Sequence, residues 1–221
     1  MESLEAELDR ARDLAVDELA DAIESIGFEC TRCGACCTGH GAADDREPHT
    51  ATVFPDEVRD LQIATANEWR DVARPMPYGL HEGESGPEGE TFEWALQTDA
   101  CGDCTFYTET DGTGACTVHE DRPLICRTYP FSVALGGTSQ PMGEAVDREG
   151  LVRAHECEGL GRDISRDDAE ELAAALKERA VRELEEAIAV RDSYSAVAPE
   201  PGEVVVHDSE GAKRPDGTQY R

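Results

Sequence analysis

Positively charged residues are scarce in this sequence. Its 221 residues include 20 Lys and Arg against 49 Asp and Glu, which gives a formal net charge of -29. Only Lys177 and Lys213 are lysines. Because nucleic acids and anionic lipids are bound largely by Lys and Arg that displace counterions, we expect neither nucleic acid nor an anionic membrane among the partners.

Long apolar runs are also absent. No stretch approaches the roughly 20 apolar residues that a membrane-spanning helix needs. The opening "MESLEAELDR" is acidic and polar, whereas a signal peptide is basic and then apolar. We therefore expect a cytoplasmic, monomeric protein without a membrane span.

Common catalytic motifs are missing as well. The sequence has no phosphate-cradling glycine loop, no dinucleotide fingerprint and no recognisable Ser/His/Asp arrangement. Hydrolase, kinase and nicotinamide-enzyme classes therefore have no motif in their favour. Aromatic residues make up only 5% of the chain, so something besides burial is expected to help hold the core.

Acidic residues are spread through the whole chain rather than gathered in one tail. This pattern is typical of proteins that work in molar salt, where the Debye length is about 3 Å and self-repulsion is screened. We therefore interpret the acidic residues as groups that keep the protein solvated in salt rather than as a binding site. They predict a halophilic, archaeal host.

Helical periodicity is clear in three segments. Apolar residues recur every three or four positions over residues 4–26, 54–72 and 166–192. Gly27 is a natural stop for the first helix, Pro55 suits the start of the second, and Ser165 caps the third. Short strands are predicted over residues 91–98, 131–135 and 151–154.

We predict an α-rich α+β fold, a single metal-stapled cysteine-cluster domain framed by N- and C-terminal amphipathic helices with few short strands. The predicted segments are an N-terminal helix (1–27), a metal-binding domain (28–160) with an insertion loop (74–90), a C-terminal helix (161–192) and a largely disordered acidic tail (193–221). The two terminal helices are expected to pack together as a scaffold.

Nine cysteines stand out in a chain expected to be cytoplasmic. They lie at positions 30, 33, 36, 37, 101, 104, 116, 126 and 157. A reducing compartment argues against a disulfide framework and for metal or redox chemistry. Cys30/Cys33 and Cys101/Cys104 have the two-residue spacing that lets a turn aim two thiolates at one metal, and together they could form a four-thiolate zinc site.

The run "ECTRCGACCTG" over residues 29–39 offers a second hypothesis. Cys30, Cys33 and Cys36 have the spacing of the three-cysteine run that holds three corners of a [4Fe-4S] cluster in bacterial ferredoxins, with a distant cysteine as the fourth ligand. Adjacent Cys36 and Cys37 usually point apart, so Cys37 could face a second metal. Gly34 would let the backbone turn tightly between ligands.

The segments "FECTRCGACCTG", "CTFY" and "CTVHEDRPLICRTYPF", followed by a late Cys157, closely resemble the YkgJ-type cysteine-cluster family, whose members are described as zinc- or iron-chelating domains. A related domain occurs in flagellin lysine-N-methylase. The resemblance implies eight metal ligands: Cys30, Cys33, Cys36, Cys37, Cys104, Cys116, Cys126 and Cys157. It leaves Cys101 as an extra cysteine.

Residues around Cys126 are expected to support the centre. Arg122 and Arg127 would offset thiolate charge, and Tyr129 would help to wall the site from water. The alternative is that the two arginines bind an anionic substrate. His119 stands where the family tends to have Tyr; a surface role is favoured over a ligand role.

Two function classes follow. The favoured one is an iron-sulfur protein, with a [4Fe-4S] cluster used in electron transfer or in a modification reaction, and with an unidentified protein or redox partner. It would make the chain an Fe-S-dependent oxidoreductase or a protein-modifying enzyme. The alternative is a binding module whose cysteines hold structural zinc.

Overall fold

The structure is a computed structural model that describes residues 3–41, 46–84, 86–135, 145–147 and 150–220. Small parts of the predicted segments lie outside these residues: positions 1–2, 42–45, 85, 136–144, 148–149 and 221. Over the described residues the fold is mixed α+β, with six α-helices and several small sheets. This confirms the predicted α+β class, but the strands are too many for the α-rich fold with few short strands that the sequence predicts.

The elements are numbered in chain order. The helices are α1 (Leu4–Asp13), α2 (Val16–Ile26), α3 (Pro55–Thr65), α4 (Trp69–Val72), α5 (Leu124–Thr128) and α6 (Arg166–Ser193). The strands are β1 (Thr52–Val53), β2 (Ala73–Pro75), β3 (Leu80–Gly83), β4 (Gly86–Thr91), β5 (Trp94–Leu96), β6 (Tyr107–Thr110), β7 (Thr113–Cys116), β8 (Phe131–Val133), β9 (Ala145–Asp147), β10 (Val152–His155), β11 (Val204–Asp208) and β12 (Gly211–Lys213). Among the helices of the described ranges, none has both the length and the apolarity that crossing a membrane takes.

The chain forms two compact units. Unit 1 consists of Met1–Cys36, Glu109–Gly114 and Leu124–Glu185, and unit 2 consists of Cys37–Thr108, Ala115–Pro123 and Glu186–Arg221. The division therefore falls between the adjacent residues Cys36 and Cys37.

In unit 1 the predicted N-terminal helix is two helices. Ser3 caps α1 by accepting a hydrogen bond from the Ala6 amide at 3.2 Å, and α2 begins after a break at Leu14. The Leu14 carbonyl accepts a hydrogen bond of 2.7 Å from Lys177 Nζ on α6, a long-range contact that replaces a helical one. The apolar spacing continues through the break, which is why periodicity alone predicts one helix.

Helix α6 follows the prediction closely, and it contacts α1 and α2. The Asp168 amide donates to Ser165 Oγ at 3.2 Å, so Ser165 is the predicted cap. Arg166 forms ion pairs with Asp21 and, at 2.7 Å, with Glu24 on α2. Ala173, Leu176 and other small or apolar side chains of α6 are fully buried.

The sheet of unit 1 has the order β8-β10-β9 and is antiparallel. Its strands β8 and β10 confirm the predictions over residues 131–135 and 151–154. Ala154 pairs with Phe131, and both side chains are completely buried. This pairing places the residues after α5 beside the residues before Cys157.

Unit 2 contains the predicted second helix, again in two pieces. Pro55 occupies the first turn of α3, and the Phe54 amide is capped by Glu57 Oε2 at 3.0 Å. The helix ends at Thr65, the next residue Ala66 has a left-handed φ of 57°, and α4 follows. A three-stranded sheet of order β1-β5-β2 adjoins them, and it buries Trp94.

The other sheet of unit 2 departs most from the prediction. Its order is β12-β11-β4-β3, so the predicted insertion loop (74–90) supplies a hairpin and the predicted disordered tail (193–221) supplies two strands. Strand β11 pairs in parallel with β4, Val206 with Thr91. Val205 and Val206 are fully buried, so the "VVV" run is a core strand whose partner lies more than a hundred positions away.

Candidate metal centre

All nine cysteines lie in described residues and carry thiols rather than disulfides. Unit 1 holds Cys30, Cys33, Cys36, Cys126 and Cys157, and unit 2 holds Cys37, Cys101, Cys104 and Cys116. Cys30, Cys33, Cys36 and Cys101 are exposed, while Cys104 is buried and the others are half-buried. The spacing of the cysteines along the chain does not sort the predicted ligands into these two groups.

Main-chain hydrogen bonds bring Cys30 and Cys157 onto adjacent segments of unit 1. Phe28 and Leu160 form an antiparallel bridge. The Glu29 amide donates to the Gly159 carbonyl at 3.0 Å, and the Gly161 amide donates to the Gly27 carbonyl at 3.0 Å. Residues 27–29 and 159–161 are thus paired as a short antiparallel ladder. Cys30 directly follows the first of these segments, and Cys157 lies two residues before the second.

The first cysteine loop, residues 30–36, is shaped by two positive backbone angles. Gly34 has φ 78° and is buried, which confirms that a tight turn between the cysteines calls for a residue without Cβ. Arg32 has φ 58°, and its carbonyl accepts a hydrogen bond of 2.8 Å from the Gly114 amide. A 3-10 turn over Ala35–Cys37 follows.

Cys157 is the half-buried member of this group. Burial is the largest cause that raises the pKa of its thiol; the hydrogen bond from the Gly159 amide to Cys157 Sγ, 3.4 Å long, opposes that change. Negative charge on Cys33, Cys36 and Cys30 raises the pKa further. Electrostatic coupling therefore joins four thiols, Cys30, Cys33, Cys36 and Cys157, which we call the four-thiol set.

Tyr129 stands beside the four-thiol set. Its pKa is raised by burial first and then by the charges of Cys157, Cys36 and Cys33. Its hydroxyl donates a hydrogen bond to the carbonyl of Glu156, the residue directly before Cys157. The aromatic wall that the sequence predicts near the thiols is therefore tied to the chain that carries one of them.

The segment around Tyr129 is anchored from α6 by a buried arginine. Arg179 is 1% exposed, and its NH1 group donates to Thr128 Oγ1 at 3.0 Å and to the Phe131 carbonyl at 3.4 Å. The Phe131 ring in turn meets Phe28 edge-on, with centroids 5.7 Å apart. The residues on either side of Tyr129 are therefore fixed by the core of unit 1.

The cysteines of unit 2 are organised by a different set of bonds. The Cys104 amide donates to the Cys37 carbonyl at 2.8 Å. The Thr117 amide donates to the Phe106 carbonyl at 2.9 Å, which ties the segment after Cys116 to the segment after Cys104. Cys101 is exposed, and its amide is held by Asp99 Oδ1 at 2.8 Å.

The two arginines that were predicted to support the centre, Arg122 and Arg127, are both at least partly exposed to solvent. Arg122 is half-buried in unit 2 and bonds within its own turn, to the His119 carbonyl at 3.0 Å and to His119 Nε2 at 3.2 Å. Arg127 is exposed on α5 in unit 1. His119 is exposed as well, and its contact with Arg122 supports the surface role favoured for it.

Sequence reasoning missed two residues that build the site. Gly159 donates to Cys157 Sγ, and a Cβ there would overlap the Glu29 carbonyl oxygen. The glycine two positions after Cys157 was a signal that could have found it. Arg179 had no such signal, because its spacing on α6 merely continues the helical stripe.

The donor chemistry of the cysteines suits a metal. In the portion of the chain that the structure describes, no three His, Cys, Asp or Glu side chains are arranged to hold a metal ion together. Four electrostatically coupled thiols, one of them with an amide donor to its sulfur, are nevertheless the ligand type of both zinc and iron-sulfur centres.

Comparison with known proteins gives a family match. A family model, "CxxCxxCC: Putative zinc- or iron-chelating domain", covers residues 29–158, more than half of the chain. No curated protein and no solved structure matches the chain.

Proposed function

Because the chain belongs to the CxxCxxCC family of zinc- or iron-chelating domains, whose metal is bound through cysteines, we propose that Cys30, Cys33, Cys36 and Cys157 hold one metal centre and that this centre is an iron-sulfur cluster, [4Fe-4S]. When bound, such a cluster supplies one-electron chemistry. Electron transfer, or a modification reaction that uses the electron, is the function we propose.

The observation that carries the proposal is the main-chain pairing of residues 27–29 with residues 159–161. It brings the loop of Cys30, Cys33 and Cys36 next to the segment of Cys157, although about 120 positions separate them along the chain, and the charges of the loop thiols raise the pKa of Cys157 accordingly. A cubic cluster is commonly held in this way, by three cysteines from one short run and a fourth from a distant segment.

Zinc is the second candidate, supported by the same four thiols. A set of four thiolates is also a structural zinc site, which stays closed and contributes folding energy. Cluster sulfurs are commonly stabilised by backbone amides, and the Gly159 amide already points at a ligand sulfur. This donor, with the three-cysteine run, is why we place iron first.

The remaining predicted ligands are proposed for other roles. Cys37, Cys104 and Cys116 are candidates for a second centre within unit 2, where Cys37 and Cys104 are joined through the main chain. Cys126 on α5 is a candidate for extra ligation in unit 1. We propose that Arg127 offsets thiolate charge and that Arg122 does so in unit 2.

The setting is also a proposal. Reduced thiols persist in cytoplasm rather than in oxidising compartments, so we propose a cytoplasmic location, with a protein redox partner. The acidic composition supports a halophilic, archaeal host.

The test is anaerobic purification followed by absorption spectroscopy and by iron, sulfide and zinc analysis. A cluster gives a brown protein with iron and acid-labile sulfide in equal amounts. A colourless protein with stoichiometric zinc would sink the cluster hypothesis and leave the zinc alternative. A protein that binds neither metal would contradict both.

A matched pair of variants then locates the centre. Cys33→Ser should remove the absorption, because it takes one ligand from the four-thiol set. Cys101→Ser is the control: this cysteine is also exposed, lies in unit 2 and is outside the eight ligands that the family resemblance implies. Equal loss in both variants would count against the assignment.

A further inference from the structure

We infer that Tyr129 is a positioning residue for the metal centre, whose hydroxyl holds the Cys157 backbone in place so that the exposed thiols of the first cysteine loop close on a fixed fourth ligand. The inference rests on the proposed function, because it assigns a role at the same centre. It begins from the hydrogen bond between the Tyr129 hydroxyl and the Glu156 carbonyl.

Cys157 lies between two backbone anchors. On one side the His155 amide donates to the Pro130 carbonyl at 2.9 Å, and on the other the Glu29 amide donates to the Gly159 carbonyl at 3.0 Å. The peptide between these anchors includes Glu156, which is exposed. Its carbonyl is bonded by the Tyr129 hydroxyl, which thus fixes the residue immediately before the ligand.

The tyrosine is itself held firmly enough to act as an anchor. Thr128 and Phe131, on either side of the Tyr129–Pro130 pair, are bonded to the buried guanidinium of Arg179. Phe131 is completely buried. A hydrogen bond made from such a segment restrains its partner instead of moving with it.

The thiols differ in exposure, and this difference explains why a restraint on the Cys157 backbone would matter for metal binding. Cys30, Cys33 and Cys36 are exposed, whereas Cys157 is half-buried. Metal binding has to order the exposed thiols, and the half-buried thiol gives them a fixed partner. When Cys157 is already fixed, metal binding loses less conformational entropy. Groups that orient metal ligands usually act in this way.

The test is an anaerobic cobalt(II) titration of the full-length, metal-free protein. Cobalt reports thiolate ligands through charge-transfer absorption. Four proteins are compared: the wild type, Tyr129→Phe, Cys157→Ser and the control Tyr78→Phe. Tyr129→Phe keeps the ring and removes only the hydroxyl, and Tyr78 is 65% exposed in unit 2.

We expect Tyr129→Phe to bind cobalt roughly 10-fold more weakly, as is typical when a group that orients a ligand is removed. At cobalt concentrations below saturation its charge-transfer band should approach that of Cys157→Ser. Tyr78→Phe should match the wild type. Wild-type affinity and spectrum in Tyr129→Phe would overturn the inference while leaving the proposed function intact; failure of the wild type to bind cobalt would sink the proposed function and the inference with it.

Alkylation of the metal-free proteins by iodoacetamide, mapped by mass spectrometry, supplies a second measurement. Loss of the hydroxyl should raise the labelling rate of Cys157 several-fold and leave that of Cys30 unchanged. Equal acceleration at both would indicate general loosening and would contradict a positioning role. In the wild type alone, Cys157 should react more slowly than Cys33, and equal rates would overturn the inference even if the variant fails to fold.

Discussion

The amide of Glu29 donates a 3.0 Å hydrogen bond to the carbonyl of Gly159, and this pair joins the two segments that carry Cys30 and Cys157. Both segments are otherwise irregular, so the short ladder between them fixes their register. The contact therefore holds the loop of Cys30, which follows a helix end, next to the segment of the late Cys157.

Gly159→Ala tests that contact. The added Cβ would overlap the Glu29 carbonyl oxygen, so the ladder has to open. Overpacking of this kind costs about 1–3 kcal/mol, and we expect that loss in urea unfolding together with weaker metal uptake.

Gly161→Ala is the control for Gly159→Ala. A Cβ at Gly161 meets open space, although its φ of 76° makes the change strained. It should therefore lower stability by roughly 1–2 kcal/mol while leaving metal uptake near the wild-type level. Equal loss of metal in the two variants would contradict a specific role for the Glu29–Gly159 contact.

Local signals in the sequence predicted local structure well. Ser165 caps α6, and Gly34 takes the left-handed angle that its turn calls for. The motif resemblance identified a zinc- or iron-chelating cysteine-cluster domain, which the family match over residues 29–158 confirms. Each of these depends on a few neighbouring residues or on a motif, which a single sequence can show.

Long-range contacts were beyond such reasoning. The end of α1 is set by Lys177, which bonds the Leu14 carbonyl, and strand β11 forms because Val206 pairs with Thr91. The sorting of thiols into two units depends equally on distant pairings, such as that of Phe28 with Leu160. No periodicity near these residues indicates their partners.

His49 should make the stability of unit 2 depend on pH. Burial, followed by the nearby charges of His40 and Arg74, lowers its pKa from 6.5 to about 4, and Asp103 only partly opposes this. The folded protein therefore keeps the imidazole neutral, whereas the unfolded chain protonates it below about pH 6.5. The stabilisation is complete above pH 6.5 and is lost as the pH falls toward 4, by about 3 kcal/mol in total.

The measurement is urea unfolding between pH 7.5 and 4.5 at constant salt. Carboxylates also titrate in this range, so the decisive quantity is the difference between variants. His49→Gln should flatten the decline, while His81→Gln, at an exposed side chain, should leave it unchanged. Parallel curves for His49→Gln and the wild type would show that His49 does not carry the effect.

The C-terminal strands should be essential to unit 2. Lys213 Nζ lies 2.7 Å from Asp208 Oδ2, and both side chains are almost fully buried. Removing one partner of a buried ion pair typically costs 3–5 kcal/mol, because the other charge is left buried. Lys213→Met is therefore expected to lose about that much stability in urea unfolding.

A surface pair offers the comparison for Lys213→Met. Arg70 and Asp216 are 3.5 Å apart, with side chains 63% and 36% exposed, and such pairs contribute about 0–1 kcal/mol. Arg70→Ala should change stability only within that range. If Lys213→Met were equally mild, or if a chain ending at residue 203 kept wild-type stability, the C-terminal strands would not be integral to the fold.

Metal removal should leave the tryptophan core of unit 2 folded. The low aromatic content led us to expect that something besides burial helps to hold the core. The structure buries Trp69 and Trp94 edge-to-face, with centroids 5.0 Å apart, and Trp94 Nε1 donates to Asp208 Oδ2 at 2.8 Å. These contacts involve no cysteine, so they should persist when the thiols lose their ligand.

Both tryptophans of the chain lie in unit 2, which makes their emission a reporter for it. After anaerobic treatment with a chelator, the emission maximum and the near-ultraviolet circular dichroism should stay at the values of the metal-loaded protein. The urea-unfolded chain gives the opposite reference, and Trp69→Phe and Trp94→Phe assign the signal. A shift to the unfolded reference on chelation would mean that metal, rather than the packing of Trp94, orders this part of the chain.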